Sequence, residues 1–288
     1  GLLYNPMGNM DPANAYYAYF APNLDGSNGD TWGGYSYGVA NLVNHDDTTK
    51  HLQSAVPGEG LYQYIPDGMT ITTDGNIWVT DLNQDWTTGT VAYMGEVLAN
   101  IGTWDGAEMD FVYEPLTLDF PTIDNSRPAN DRVAFAPDGQ TGYIVVLADD
   151  GSVPFSEGAY YPIVSKTTDG GENWSDPMGV QIGGPDGIAP IVYDWLSDED
   201  LEAFFEPPIP ARDEILYTTA FDFDMVVDAY GNPHIAVVIG IGSGEYSIYS
   251  PANYIAAFDI FSFDGGETWN AYHLGNLLTF RGDFGDLT

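Results

Sequence analysis

The chain has 288 residues with 43 acidic and 6 basic side chains, a formal charge of −37 with histidine neutral. Two lysines and four arginines cannot form the basic stripe that neutralises phosphates, so nucleic acid is excluded as a partner and anionic membrane surfaces are disfavoured. Hydrophobic residues make up 44%, enough for a sizeable core, and the absence of cysteine removes disulfides, thiolate metal sites and cysteine nucleophiles together.

The longest apolar runs, Ile144 to Ala148 and Ile235 to Ile241, are far shorter than the roughly 18 residues of a membrane helix, so direct membrane insertion is not expected. No initiator methionine or basic-then-apolar leader precedes Gly1, from which a processed product or a piece of a longer protein is expected. The uncompensated charges repel, and folding should be favoured by salt. A lysine-poor acidic surface suits work outside the cytoplasm in salty surroundings, with plain solubility as the alternative reading.

In chain order, the informative signal is short apolar or alternating runs divided by Asp-Gly, Asn-Pro and Gly-Gly turns, an all-β pattern. The strands group into repeated units of two hairpins each. The first, about 13–43, is faint. The second, 66–113, has Gly68 to Thr73, a turn at Asp74-Gly75-Asn76, Ile77 to Thr80, and a degenerate second hairpin around Thr90 to Tyr113.

The third unit, 131–180, runs Asp131 to Ala136, Gly142 to Ala148, Tyr160 to Thr167, and a strand from Trp174. An insertion of about 183–212 follows. Within it Ser197 to Phe205 starts with a Ser-x-x-Asp capping box (Ser197, Asp200) and predicts a short helix ended by Pro207 and Pro208. The fourth unit, 221–274, repeats the plan with Phe221 to Val227, His234 to Ile239, Tyr254 to Ser262 and Trp269 to Leu274.

Two turns align residue by residue: Thr167-x-Asp169-x-Gly171-x-Asn173-Trp174 and, 95 residues on, Ser262-x-Asp264-x-Gly266-x-Thr268-Trp269. The Asp carboxylate can accept amide hydrogen bonds from its own turn, the preceding hydroxyl can brace the loop, and Gly tolerates positive φ. The Trp can then bury a large ring.

These residues resemble the Asp-box of the sialidase-like, or BNR-repeat, β-propellers, and Val226 to His234 looks like the inner hairpin common in that group. The resemblance covers roughly residues 66 to 275. It implies a β-propeller of four-stranded antiparallel blades, partial here because such proteins usually have six, with the boxes as structural staples at blade rims. It is nearest to secreted surface proteins of Bacteroidetes-type bacteria, which often end in a type IX secretion sorting domain. The implied location is therefore extracellular or cell-surface.

Sialidases of this kind hold a substrate carboxylate with three arginines, one in an Arg-Ile-Pro motif, and use a Tyr nucleophile activated by a Glu with an Asp acid/base. Here no Arg-Ile-Pro occurs, and the chain has just Arg127, Arg132, Arg212 and Arg281. The expected function is accordingly a non-catalytic propeller for recognition, adhesion or surface assembly. Its expected partner is a glycan or a protein at the cell surface, including other chains of a surface assembly. The alternative is a glycoside hydrolase, an exo-sialidase or a neutral-glycan enzyme using two carboxylates.

Smaller signals remain. Asp81, Asn83 and Asp85 alternate like calcium ligands, but Trp86 stands where the loop glycine belongs and Ala92 where the final acid belongs, so a solvated turn is expected and calcium is the one cofactor suggested. Asp25 to Asp30 is a weaker case. His45, His51, His234 and His273 lack metal spacing and are expected at the surface or in packing. Arg281-Gly282-Asp283 and the sequon Asn173-Trp174-Ser175 are expected to be incidental.

Overall fold

The computed structural model describes residues 2–4, 11–23, 34–43, 47–53, 62, 66–73, 75–86, 88–106 and 110–278. Among the described residues the chain is all-β, with four separate four-stranded antiparallel sheets whose strands follow chain order. The first contains β1 (Leu2–Tyr4), β2 (Tyr16–Asn23), β3 (Gly34–Asn41) and β4 (Asp47–Gln53). The second contains β5 (Gly68–Ile71), β6 (Ile77–Asp85), β7 (Ala92–Asp105) and β8 (Asp110–Asp119).

The third sheet contains β9 (Asn130–Phe135), β10 (Gly142–Ala148), β11 (Tyr161–Thr167) and β12 (Met178–Gly179), and the fourth β13 (Tyr217–Val227), β14 (Pro233–Ile241), β15 (Ile255–Phe261) and β16 (Asn270–Asn276). The backbone groups into two compact units. One holds Gly1–Arg127, Asp131–Ile144 and Lys166–Asp176, and the other Pro128–Asn130, Val145–Ser165 and Pro177–Thr288.

The sequence places most of these strands correctly, and the departures have physical causes. The region around Thr90 to Tyr113 forms two long strands, β7 and β8, with an uninterrupted register from Glu96↔Asp119 to Asp105↔Asp110. Its alternation is obscured because polar residues such as Asn100 are buried in it. Trp174 starts no strand; β12 begins at Met178 and is two residues long. Asp74 and the Asp25 to Asp30 stretch lie outside the described residues, as do His45 and Arg281 to Asp283.

In the first unit the core joins Tyr16, Ala18 and Val39 to Ile77, Val79 and Phe111. Tyr16 and Trp104 meet with ring centroids 5.0 Å apart. Full burial of the larger ones, such as Val39, Ile77, Val79 and Phe111, contributes roughly 1.5–3 kcal/mol each.

In the second unit the fourth sheet buries one face through Met225, Ile235, Val237, Ile239, Phe258 and Ile260. Trp195, carried by the insertion, packs over Phe258 on that face at 5.3 Å, and its indole N–H donates to Asn276 Oδ1 at 3.1 Å. The insertion folds as a π turn at Pro190–Asp194 and helix α1 (Asp198–Phe204). The Ser197 side chain accepts from the Asp200 amide, and the Asp200 carboxylate accepts from the Ser197 amide, so the capping box is formed at both ends.

Candidate functional site

The two aligned turns connect the last two strands of different sheets, β11 to β12 and β15 to β16. In the first, the Thr167 hydroxyl donates to Asp169 Oδ1 at 2.8 Å and accepts from the Gly171 amide at 2.9 Å. Asp169 also accepts from the Asn173 amide at 2.9 Å and from the Asn173 side chain at 2.7 Å.

The second turn repeats this. The Ser262 hydroxyl donates to Asp264 at 2.7 Å and accepts from Gly266 at 2.7 Å, while Asp264 accepts from the Thr268 amide at 2.9 Å and from the Thr268 hydroxyl. These hydrogen bonds hold both carboxyls at a pKa of about 2; for Asp169 the largest is from the Asn173 side chain, for Asp264 from the Thr268 side chain. Saturated by their own loops, the two carboxylates have little capacity left for a ligand.

The indoles differ. Trp174 is half-buried against Trp78, at 5.7 Å and edge-on, and its N–H donates to Gly171 O at 3.1 Å. Trp269 is also half-buried, but its buried N–H has no hydrogen-bond partner.

The three described arginines are each engaged within their own unit. Arg132 donates to the carbonyls of Asp67 and Asp131, at 2.8 and 2.7 Å. Arg212 donates to the Leu196 carbonyl and pairs with Asp198 at 2.6 Å. Arg127 lies over the Trp86 ring, 5.0 Å from its centroid.

Sequence reasoning missed a carboxyl pair in the first unit. Asp131, on β9, is fully buried beside Asp67, and burial first, then the Asp67 charge, push its pKa up to about 8 against the opposing pull of the Thr80 hydroxyl and Arg132. Gly68 lets β5 approach closely here, since a Cβ on it would lie 2.3 Å from Thr80 Oγ1 and 3.0 Å from Arg132 Cα. The neighbouring Tyr93 is buried, and its phenol is pushed up by burial, then by the charges of Asp131 and Glu96; its O–H donates to Phe120 O at 2.8 Å. No sequence signal separates this aspartate from the other acids.

Asp81, Asn83 and Asp85 belong to β6 rather than to a solvated turn, with Asp81 and Asn83 buried. Asn83 Oδ1 accepts from the Tyr62 amide at 3.0 Å and its NH2 donates to Glu96 at 2.7 Å. Among the described residues no three His, Asp or Glu side chains are grouped to hold a metal ion.

The second unit carries an accessible constellation on the fourth sheet. Register aligns Val226, His234, Phe261 and Asn270 in one row across the fourth sheet, and Asp224, Ala236, Asp259 and Tyr272 in the next. This is the face opposite the buried one. It exposes Val226 (62%), Tyr272 (57%) and Leu274 (60%), large apolar groups that solvent-facing strands normally avoid.

His234 Nδ1 lies 3.0 Å from Asp259 Oδ2, and the imidazole stacks on Phe261 at 5.7 Å. The other Asp259 oxygen is buried without a hydrogen-bond partner. Around this pair is a pocket of about 480 Å³ bounded by Asp224, Asp228, Val226, Ala236 and Leu274.

No protein-family model matches the chain, and no curated protein matches it. Solved structures similar to it include the following three. The hydrazine synthase of Kuenenia stuttgartiensis is 11% identical over 94% of this chain and 66% of its own, with a TM-score of 0.37. A Hadza microbial sialidase is 11% identical over 86% and 47%, with a TM-score of 0.38. A polysaccharide lyase is 10% identical over 90% and 57%, with a TM-score of 0.38. The chain thus spans 47 to 66% of the length of these structures.

Proposed function

We propose that this chain is a non-catalytic, sialidase-like β-propeller segment, secreted or displayed at the cell surface, that serves recognition, adhesion or surface assembly. The four sheets are its blades, and the Thr167–Trp174 and Ser262–Trp269 turns are its Asp-boxes, fastening the outer strands. The observation that carries the reading is the contrast between an open apolar sheet face and well-engaged chemical groups. Val226 and Leu274 are exposed around a pocket and Tyr272 is exposed on the same face, whereas Asp131 is fully buried and the described arginines are tied to carbonyls, Asp198 and Trp86. A glycan or a protein at the cell surface is the partner in this reading.

A second reading, a glycoside hydrolase, draws on the Asp67 and Asp131 pair. A carboxyl raised to about 8 by burial and a neighbouring carboxyl holds its proton at neutral pH, as the general acid of a glycosidase does. Turnover of fluorogenic sialosides and neutral glycosides by the full chain, wild type and Asp131→Asn, tests both. Recognition predicts no turnover above buffer for either protein, while turnover abolished by Asp131→Asn would establish the hydrolase instead.

A further inference from the structure

We propose that the second unit binds a neutral, hydroxyl-rich sugar in a pocket of about 620 Å³ bounded by Trp269, by Met178 of β12 and by residues 186–190 of the insertion. The site extends the recognition reading, on which it rests, by naming the partner as a glycan. All of its walls belong to the second unit. Its volume falls within the roughly 300–1,000 Å³ of small-molecule sites. The two aligned turns make the same hydrogen bonds around their aspartates and then part at the last residue. Trp174 donates to Gly171 O at 3.1 Å and packs against Trp78 and Phe135, at 5.7 and 6.1 Å. Trp269, at the same place in its turn, makes no such bond, and among the described residues no other aromatic ring packs on it. Its N–H is buried out of a ligand's reach; what it records is that Trp269 forgoes the bond that fastens its counterpart, a loss that burial makes costly. A turn that needed only a fastening would keep that bond, as the first turn does. The half-buried ring of Trp269 borders the pocket instead.

The polar groups of the pocket are of both kinds. Asp186 and Glu267 are exposed, and no other described residue engages their carboxylates. Asn270 presents an NH2 donor, its Oδ1 being taken by the Ala271 amide at 2.8 Å. Hydroxyl groups donate and accept, so a sugar serves both kinds at once, whereas an ammonium ion would leave the amide donor unmatched. Met178, Ile188 and Pro190 offer the C–H faces of a sugar ring an apolar surface beside the indole. Acidic sugars are repelled, because Asp186 and Glu267 border the pocket and the chain carries −37.

The test titrates the intact chain with neutral tetrasaccharides of glucose, mannose, galactose and xylose, read by calorimetry. Its comparators are a tetragalacturonate for acidic sugars and spermidine for cations. Saturable binding of at least one neutral sugar is expected at concentrations up to about 10 mM, which covers the millimolar range of weak specific binding. Trp269→Ala should weaken it about tenfold or more. Trp174→Ala, which removes the corresponding indole from the first unit, should leave it unchanged. Ala189→Arg, at an exposed position on the pocket wall, should abolish binding and covers the case in which Trp269→Ala fails to fold.

Equal loss in Trp174→Ala would reduce the effect to the integrity of the fold and overturn the site. So would binding that survives both Trp269→Ala and Ala189→Arg. Failure of all four neutral sugars to bind, or binding of spermidine or tetragalacturonate in their place, would overturn the ligand class while leaving recognition of a protein standing. Cleavage of the bound tetrasaccharides would remove the recognition reading itself.

Discussion

Asp131 sets the clearest expectation for a single residue. The folded chain keeps its proton up to about pH 8, whereas the unfolded chain releases it near 3.8, so between these values the native state binds more protons and stability falls as pH rises. Asp131→Asn should flatten that slope and raise stability at pH 9 by on the order of 1–3 kcal/mol, measured by urea denaturation at fixed salt. A variant less stable than wild type at pH 9 would show that the Asp131 carboxylate gains more from Thr80 and Arg132 than its burial beside Asp67 costs. At Gly171 the constraint is steric: φ is +93° and an added Cβ would lie 2.3 Å from Trp78 Cζ2. Gly171→Ala should therefore cost about 2–4 kcal/mol in the same assay. The glycine was legible in its turn motif; the ring that crowds it belongs to β6 and was not.

Among the elements, the Asp169 and Asp264 turns and α1 have opposite visibility to the sheet face. Both turn aspartates have a folded pKa of about 2 against 3.8 unfolded, so their stabilisation is present above pH 4 and is lost as pH falls toward 2. Replacing both with asparagine should make the acid limb of a thermal-melt profile shallower between pH 4 and 2, and an unchanged limb would contradict the assigned hydrogen bonds. For α1, Ser197→Ala removes the acceptor for the Asp200 amide and should cost about 1 kcal/mol, with the sheets intact by circular dichroism. These local motifs were readable because their partners are within four residues. The open face was not: Asp259 and Tyr272 become neighbours through strand pairing, and alternation marks two faces without saying which one the insertion covers.

For the whole molecule the dominant quantity is charge. Raising sodium chloride from 0.01 to 1 M shortens the screening length from about 30 to 3 Å and should raise the melting temperature by several degrees, beyond the effect on a variant with ten surface acids neutralised. Calcium has a weaker basis, since the Asn83 side chain already serves Tyr62 and Glu96. Melts with and without chelator are expected to coincide, and a drop of several degrees in chelator would restore a calcium site.

The sequence by itself determined the all-β class, the hairpin plan of the later units, the capped helix and the internal bonding of the Asp169 and Asp264 turns. Each follows from short-range periodicity or from hydrogen bonds that close within a few residues. Tertiary structure decided the rest: that Asp131 is buried next to Asp67, that Asn83 is an inward strand residue, and that β13 to β16 leave an apolar face open around His234 and Asp259. Burial and long-range pairing create those environments, and a carboxyl's chemistry depends on what surrounds it more than on its place in the chain.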